Sequence, residues 1–429
     1  MGETLRNWAG NIDFRAARVH RPSSLDELRG IVADAETVSV LGTGHSFNRI
    51  ADTDGDLILL DGLPAELEID AAARTATVPA GMRLAQLAAQ LQDAGFALAN
   101  LPSLPHISLV GACATGTHGS GDGNQGLAAL VRAIRLIGPD GEELESVRGE
   151  DADFDGAVVN LGALGVVTSL TVDVRPSFEI AQYVYRDMPL ERLIERHADV
   201  FAAGYSVSAF TDWASGRATV WRKVLRSADG GDVGGGADLA RPEHVDQEWF
   251  GARLANEAVH PVPGMPAGSC TQQLGVPGPW HERLPHFRPE FTPSSGKELQ
   301  SEFFVARQAA PEAIEAVRRL GRQIAPVLQI SEIRTIAADD LWLSPSYGRD
   351  SVALHFTWIA DLDAVTPVLA AVERELMPLA ARPHWGKVYL GAPEATLAGY
   401  EKADDFRRLL GRLDPHGKFR NEYVQRLFG

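Results

Sequence analysis

Cysteine, positive charge and long apolar runs are all scarce in this chain of 429 residues. Its two cysteines, Cys113 and Cys270, lie far apart in sequence, so no disulfide framework or Cys-x-x-Cys zinc site is predicted and a cytoplasmic location is the simplest. The formal net charge of −17 argues against nucleic acids and anionic membranes as partners. No apolar run is long enough to span a bilayer, and we expect no membrane anchor.

Two common nucleotide-binding motifs are also missing. The chain has no G-x-G-x-x-G that opens a helix and no G-x-x-x-x-G-K-[ST] loop. Instead, the sequence Gly-Thr-Gly-His-Ser at residues 42–46 follows a β-rich run at residues 37–41. Glycines in such a turn let backbone N–H groups approach phosphate oxygens, and His45 would lie beside the bound group. Alone, this pattern is more often only a tight turn.

A second loop of small residues follows one helical unit later. Residues 103–108 lead into Gly-Ala-Cys-Ala-Thr-Gly-Thr-His-Gly-Ser at residues 111–120. A bulky side chain here would prevent a flat ligand from lying on the backbone, while Ser108, Thr115 and Thr117 could donate to phosphate oxygens. Close packing of two Gly/Ala-rich strands is the alternative. Two such loops together favour a dinucleotide site.

The pattern along the chain predicts an α+β protein in three parts. Residues 1–178 alternate short strands and helices, residues 179–380 read as an inserted domain, and residues 381–429 form a C-terminal segment. Predicted helices are 24–35, 84–98 and 311–320; predicted strands are 37–41, 56–60, 131–136, 143–147 and 166–174, with a hairpin turn at 138–141 and a helix end and turn at 414–419. The glycine-rich stretch 229–236 predicts a surface loop, with an active-site lid as the alternative.

These motifs together resemble the FAD-linked oxidases of the vanillyl-alcohol-oxidase superfamily. The similarity rests on residues 40–48, on the second loop and on His-Trp-Gly-Lys at residues 384–387. Segments 7–11, 260–266, 277–283 and 291–296 resemble the alditol (xylitol) oxidases within it. The resemblance covers nearly the whole chain. It implies a two-domain FAD-binding fold of the PCMH type, with FAD on residues 1–178, an inserted α+β substrate domain at 179–380, and 381–429 returning to the active site.

The resemblance also implies how FAD is held. An imidazole nitrogen of His45 would be bonded covalently to the flavin 8α-methyl group, which prevents cofactor loss and raises the reduction potential. Val167 would lie at the adenine end. The implied FAD contacts are Gly42, Thr43, Gly44, His45, Ser46, Phe47, Ser103, Ser108, Gly111, Ala114, Thr115, Val167 and His384.

Polar residues alternate along two predicted strands in the second half of the chain. A period of two places Glu332 with Arg334 on one strand face, and His355 with Thr357 on one face of another. Taken alone, each strand is also typical of a solvent-facing surface. The resemblance implies that they bind a polyol together with two further residues: the implied set is Ser103, Glu332, Arg334, His355, Thr357 and Lys387.

Oxidation of a terminal hydroxyl requires a hydride to leave C1 and a proton to leave the oxygen. Cations near that oxygen stabilise the developing alkoxide, and we expect Arg334 and Lys387 to do this with Glu332 beside them. Ser103 and Glu332 would hold the C1–C2 region. Lys387, with a pKa lowered by Arg334, is the candidate base.

Pro102 stands where the resemblance predicts a small residue beside the flavin, so reactivity with O2 stays open. Three functions remain. The first is an oxidase that converts a polyol such as xylitol or sorbitol and O2 into an aldose and H2O2. The second is a sugar-lactone oxidase or a carrier-linked polyol dehydrogenase. The third is a non-catalytic flavin-binding protein, which the intact polar set disfavours. We expect a cytoplasmic monomer without metal.

Overall fold

Three sheets form the framework of the described residues: a three-stranded parallel sheet, a five-stranded antiparallel sheet and a ten-stranded antiparallel sheet. The computed structural model describes residues 5–226, 245–292 and 296–429. The glycine-rich stretch 229–236 and part of segment 291–296 lie outside these residues, so the loop and lid predictions there are not addressed by the structure.

The first sheet carries the first glycine turn. It is parallel, in the order β1 (Arg18–His20), β3 (Asp56–Leu59), β2 (Val38–Leu41). Helix α1 (Leu25–Asp34) connects β1 to β2; Ser24 caps it by accepting a hydrogen bond from the Glu27 amide, and its buried face packs on the sheet. The predicted helix and both predicted strands are confirmed to within one residue at each end.

The second sheet combines two strands that precede the second glycine loop in sequence with three strands that follow it. It runs β4 (Glu68–Asp70), β5 (Thr75–Pro79), β9 (Val166–Asp173), β7 (Val131–Ile137), β8 (Glu143–Val147), all antiparallel. The predicted hairpin between β7 and β8 is confirmed, with Gly141 at φ +81° in its turn.

The predicted helix 84–98 is too long. Helix α2 (Leu84–Asp93) ends before Gly95, whose φ of +80° is a left-handed conformation that favours glycine and stops the helix. The chain then forms β6 (Phe96–Ala97), which pairs with β10 (Arg175–Pro176). The second glycine loop is not a pair of strands either. It begins with a short helix, α3 (Leu109–Ala114); α4 (Phe154–Ala157) follows later.

The large sheet has ten described strands. The strands are β11 (Glu179–Pro189), β12 (Ser206–Thr211), β13 (Arg217–Arg226), β14 (Glu248–Trp249), β15 (Ala252–Leu254), β16 (Gly278–Pro279), β17 (Glu298–Ala306), β18 (Leu328–Ile336), β19 (Ser351–Ile359) and β20 (Arg382–Pro383). Their order in the sheet is β14-β15-β11-β13-β12-β18-β19-β17-β20, with β16 paired to β11. Helices between them are α5 (Leu190–Glu195), α6 (His197–Phe201), α7 (Ala310–Arg319), α8 (Gly321–Ile324) and α9 (Leu362–Leu376). The predicted helix 311–320 is α7, shifted by one residue.

The C-terminal segment packs back against the N-terminal sheets. It forms α10 (Pro393–Leu397), α11 (Ala403–Leu413) and α12 (Glu422–Phe428). The predicted turn after α11 is confirmed: buried Asp414 accepts hydrogen bonds from the amides of Lys418 and Phe419, and the Val38 amide of β2 donates to the Lys418 carbonyl. The three-part division at 178/179 and 380/381 stays a prediction. Within the described ranges, no helix is both long and apolar enough to cross a bilayer.

Candidate active site

One long cleft runs between the glycine loops and the large sheet. It encloses about 2140 Å³ of empty space, its open mouth included. The structure brings every sequence-predicted site residue to this cleft: Gly42, Thr43, Gly44, His45, Ser46, Phe47, Ser103, Ser108, Gly111, Ala114, Thr115, Val167, Glu332, Arg334, His355, Thr357, His384 and Lys387. We call the side formed by the two glycine loops the loop wall, and the side formed by β17, β18 and β19 the sheet wall.

The N-terminal segment hydrogen-bonds to the first glycine turn and packs against it. The Trp8 amide donates to the Gly44 carbonyl at 2.8 Å, and the Asn7 side chain donates to the Ser46 carbonyl at 2.9 Å. The Trp8 ring stacks on the His45 imidazole with centroids 5.1 Å apart. Gly44 has φ +70°, which places the turn in a conformation that L side chains rarely adopt. The turn and its histidine are therefore fixed in place.

His45 itself is half-buried and neutral. Its Nδ1 lies 3.0 Å from the Thr43 carbonyl oxygen, while its buried Nε2 has no hydrogen-bond partner among the described residues. Burial is the main reason that the pKa of His45 falls to about 4. A buried ring nitrogen without a partner costs about 1–3 kcal/mol of stability. A cofactor that contacts this nitrogen would remove the cost, so the environment of His45 suits a cofactor-binding residue.

The two loops approach each other closely at Gly42, where a Cβ would lie 3.1 Å from the Ser108 hydroxyl of the second loop. Within the second loop, a Cβ on Gly111 would lie 3.0 Å from the same atom, so either substitution would require the Ser108 side chain to shift slightly. Ser108 caps α3 by accepting from the Gly111 amide. The Thr115 hydroxyl donates to the Gly111 carbonyl at 3.1 Å, so its proton is directed to the backbone rather than to the cleft. The loop wall is thus a backbone cradle, and it fits a flat dinucleotide such as FAD.

The sheet wall is built from matching positions on three neighbouring strands. Glu302 of β17 and Glu332 of β18 both pair in register with His355 of the strand between them. On the opposite face, Leu354, Phe356 and Trp358 are buried under the helices, as the alternation predicts. The Glu332 and Arg334 side chains are also buried, so these strands do not present a solvent-facing surface.

Two compensated charge pairs lie side by side on this wall. In the first, Arg334 donates to both the Glu332 carboxylate and the Ser103 hydroxyl, and His286 Nδ1 lies 2.7 Å from that hydroxyl. Burial acts to raise the pKa of Glu332, but the Arg334 guanidinium and His286 outweigh it and hold that pKa at about 2. Glu332 is therefore ionised at neutral pH, and its pair with Arg334 carries no net charge.

The second pair joins Lys387 to Glu302. Lys387 Nζ lies 2.7 Å from Glu302 Oε2 and 2.8 Å from His355 Nδ1, and His355 Nε2 lies 3.2 Å from the Thr357 hydroxyl. The pKa of Lys387 is lowered, as the sequence predicts, but burial is the main cause and Arg334 only adds to it, while Glu302 opposes both. Burial, with Lys387, lowers the pKa of His355 to about 4, so that ring is neutral.

The loop wall and the second charge pair are connected directly. The Asn48 side chain donates to the carbonyls of Trp385 and Lys387 at 2.7 and 2.8 Å, and the Phe47 amide donates to the Gly386 carbonyl at 2.7 Å. The position of Lys387 is therefore set by the same turn that carries His45.

Sequence reasoning missed three buried residues of this site. Glu302 has a signal in the sequence, because Gln300 and Glu302 alternate with apolar Leu299 and Phe303 on β17. His118 belongs to the second glycine loop but was given no role. His286 has no recognisable signal, since it approaches Ser103 only after the chain folds. No cluster of three or more histidine, cysteine, aspartate or glutamate residues that could hold a metal ion occurs among the residues of the three described ranges.

Comparisons with known proteins identify relatives of this chain. A family model described as an FAD binding domain matches residues 16–146, and one described as D-arabinono-1,4-lactone oxidase matches residues 296–427. The chain is 51% identical to an alditol oxidase of a Streptomyces species over 431 residues, covering 100% of this chain and 99% of the relative. It is 29% identical to L-gulono-1,4-lactone dehydrogenase of Mycobacterium tuberculosis, with both chains fully covered.

Solved structures show the same fold at low sequence identity. Cholesterol oxidase from B. sterolicum matches with a TM-score of 0.79 at 14% identity, covering 99% of this chain and 96% of that one. Xylooligosaccharide oxidase from Myceliophthora thermophila, in complex with xylobiose, matches with a TM-score of 0.74 at 14% identity, covering 98% and 93%. The predicted fold class is confirmed. The chain belongs to the vanillyl-alcohol-oxidase (PCMH) family of flavoproteins and is an FAD-dependent oxidoreductase.

Proposed function

We propose that this protein is an alditol oxidase, which oxidises the C1 hydroxyl of a polyol such as xylitol or sorbitol to the aldose while O2 becomes H2O2. The observation that carries the proposal is the pair of compensated ion pairs, Glu332–Arg334 and Glu302–Lys387, beside His355 and Thr357 in a cleft continuous with the loop wall. Full-length similarity to an alditol oxidase supports it.

The chemistry of the sheet wall suits a neutral, hydroxyl-rich substrate. Its carboxylates are matched by cations, so the wall offers donors and acceptors without a net charge that would favour an ionic ligand. A site with buried polar groups rejects analogues that lack the matching hydroxyls, because those groups would be left unpaired. In this proposal Ser103 and Glu332 hold the C1–C2 hydroxyls, and His355 and Thr357 hold the distal ones.

The residues near C1 stabilise the developing negative charge and accept the hydroxyl proton. FAD, when bound, supplies the acceptor for the hydride of C1, and O2 later removes those two electrons. Arg334 places a cationic group where the hydroxyl oxygen gains negative charge, which favours its ionisation, and Lys387 becomes a second cation once it has taken up the hydroxyl proton. Lys387 is the candidate base.

For the cofactor, we propose a covalent bond between His45 and the flavin, with the glycine loops, Val167 and His384 around the dinucleotide. A neutral imidazole nitrogen is the form that can make such a bond, and burial keeps His45 neutral at pH 7. Acid precipitation of the purified protein should leave the yellow flavin in the pellet. In His45→Ala the colour should move entirely to the supernatant, whereas substitution of the exposed His416 by Ala should leave it in the pellet. Free flavin from the wild type would contradict the bond.

The second candidate is a sugar-lactone oxidase or a carrier-linked dehydrogenase. The match of residues 296–427 to a lactone-oxidase model and the rigid, buried Pro102 beside Ser103 support it. Anaerobic mixing with xylitol, sorbitol or L-gulono-1,4-lactone separates the candidates by which compound bleaches the flavin. Admitting air then separates an oxidase, which regains colour at once and releases peroxide, from a dehydrogenase. A flavin that none of the three compounds bleaches would defeat both candidates.

We also propose a cytoplasmic monomer. Both cysteines are free and buried, which suits a reducing compartment. Size-exclusion chromatography with light scattering should give a mass near 46.2 kDa.

A further inference from the structure

We propose that Glu302 and His118 form a positioning pair that aims the Lys387 amine at the C1 hydroxyl and leaves it free to accept the hydroxyl proton. This inference rests on the proposed function, because it names the route by which the proton leaves the substrate.

Glu302 is held rigidly at the centre of the sheet wall. It lies on β17 between β19 and β20, and only 2% of its side chain is exposed. The His384 amide donates to the Glu302 carbonyl at 3.0 Å, and the Val388 amide donates to the Gln300 carbonyl at 2.8 Å. The segment that carries Lys387 is therefore attached to β17 by its backbone as well as by the ion pair.

The carboxylate of Glu302 is shared between two partners. Oε2 lies 2.7 Å from Lys387 Nζ, and Oε1 lies 3.2 Å from His118 Nε2. Burial acts to raise the pKa of Glu302, but Lys387 and His118 outweigh it and hold it well below its ordinary value. Glu302 is therefore a fixed negative charge.

His118 faces an acceptor at each ring nitrogen. Its Nδ1 lies 2.7 Å from the Gly119 carbonyl oxygen, and its Nε2 faces the Glu302 carboxylate. A ring that donates from both nitrogens is the imidazolium form. The charge of Glu302 is then already balanced by His118, so Lys387 can lose its proton without leaving an unpaired buried carboxylate.

The two contacts of Lys387 also set its direction. A neutral amine has two N–H bonds, which Glu302 and His355 Nδ1 take up as acceptors. Its lone pair is therefore available to a substrate in the cleft that Lys387 lines. In the reaction the proton of the C1 hydroxyl would pass to Nζ, the C1–H bond would break with its electron pair leaving to the hydride acceptor that bound FAD would supply, and the C1=O bond would form.

Charged and titratable groups surround Lys387 on every side: Glu302 of β17, His355 of β19, Glu332 and Arg334 of β18, His118 of the second glycine loop and His384 of its own segment. Glu302 favours the ammonium form and Arg334 disfavours it. Changes to the two members of the pair should therefore move the titration of Lys387 in opposite directions.

The test compares Glu302→Gln with His118→Gln in the holoenzyme. Glu302→Gln removes the negative charge, so the pH midpoint of anaerobic flavin reduction by xylitol should fall by about 1–3 units, with a lower limiting rate. His118→Gln removes the opposing cation, so the midpoint should rise. Glu373→Gln is the matched control, since Glu373 is a buried carboxyl outside the cleft lining. The flavin spectrum and melting temperature show that each variant is folded.

A second readout needs no substrate. The rate at which acetic anhydride acetylates Lys387 at different pH values, followed by mass spectrometry, reports its protonation directly and should shift in the same two directions. Glu302→Asp keeps the charge and should therefore show the wild-type midpoint. If a Gln variant does not fold, Glu302→Ala or His118→Asn takes its place, because each of these also removes the charge in question.

Unchanged midpoints in both Gln variants, or shifts in the same direction, would overturn the positioning pair. A wild-type flavin that neither xylitol nor sorbitol reduces would instead refute the proposed function, while the acetylation data would still decide whether the pair controls Lys387.

Discussion

The two walls of the cleft are built by different means. The loop wall consists of glycine turns whose backbone atoms form the surface of the cleft, and its members lie within residues 42–47 and 108–118. The sheet wall consists of polar and ionised side chains from separate strands. Its contacts with other segments join Glu302 to Lys387, 85 positions apart, and Arg334 to Ser103, 231 positions apart. Substitutions on the loop wall should therefore act through backbone conformation and cofactor retention. Substitutions on the sheet wall should act through charge and through the rate of the reaction.

The largest effect is expected on the sheet wall. Arg334→Met removes a cation at the reacting oxygen and leaves Glu332 ionised and buried without its partner. The rate of anaerobic flavin reduction by xylitol should fall about 10²- to 10³-fold in rapid-mixing experiments. The FAD content should stay at the wild-type level, because Arg334 belongs to the other wall. Arg322→Met, at an exposed arginine of α8, should match the wild type. A loss of FAD in Arg334→Met would contradict the claim that cofactor retention depends only on the loop wall.

An intermediate effect is expected from pH. The pKa of His355 is about 4 in the folded protein against 6.5 for an ordinary histidine, so the unfolded state binds the proton more readily. Above pH 6.5 the ring is neutral in both states and does not alter the free energy of unfolding, and as the pH falls toward 4 its titration lowers that free energy by about 3 kcal/mol. His355→Gln lacks this loss. Urea unfolding at pH 7 and pH 4 should show a drop that is smaller in the variant by that amount. Equal drops in both proteins would contradict the burial of a neutral ring on this wall.

The smallest effects should appear in glycines, with opposite signs. Gly44→Ala places a side chain at φ +70° in the loop wall and should lower the free energy of unfolding by about 1–2 kcal/mol. Gly30→Ala lies in α1 with open space around it and should raise the free energy of unfolding by about 0.5–1 kcal/mol. Both are measured by urea unfolding at pH 7. A Gly44→Ala variant as stable as Gly30→Ala would mean that the turn does not depend on its left-handed glycine.

Much of the fold followed from local patterns. Ser24 and the apolar spacing after it predicted α1, and the turn at 138–141 predicted the β7–β8 hairpin. The error in α2 arose because apolar residues continue after Gly95, and their spacing does not reveal that the glycine is left-handed. The helix α3 was missed because a run of small residues has no clear period.

The sequence by itself determined the loop wall, since a glycine turn and its histidine are contiguous and their conformation is set by local sterics. It also determined which faces of β18 and β19 carry the polar residues. Only the tertiary structure decided that Glu302 pairs with Lys387 and His118, and that His286 meets Ser103. Contacts of this kind depend on the order and register of strands from distant parts of the chain, which no local pattern specifies, and on burial, which makes each ion pair necessary once the cleft has formed.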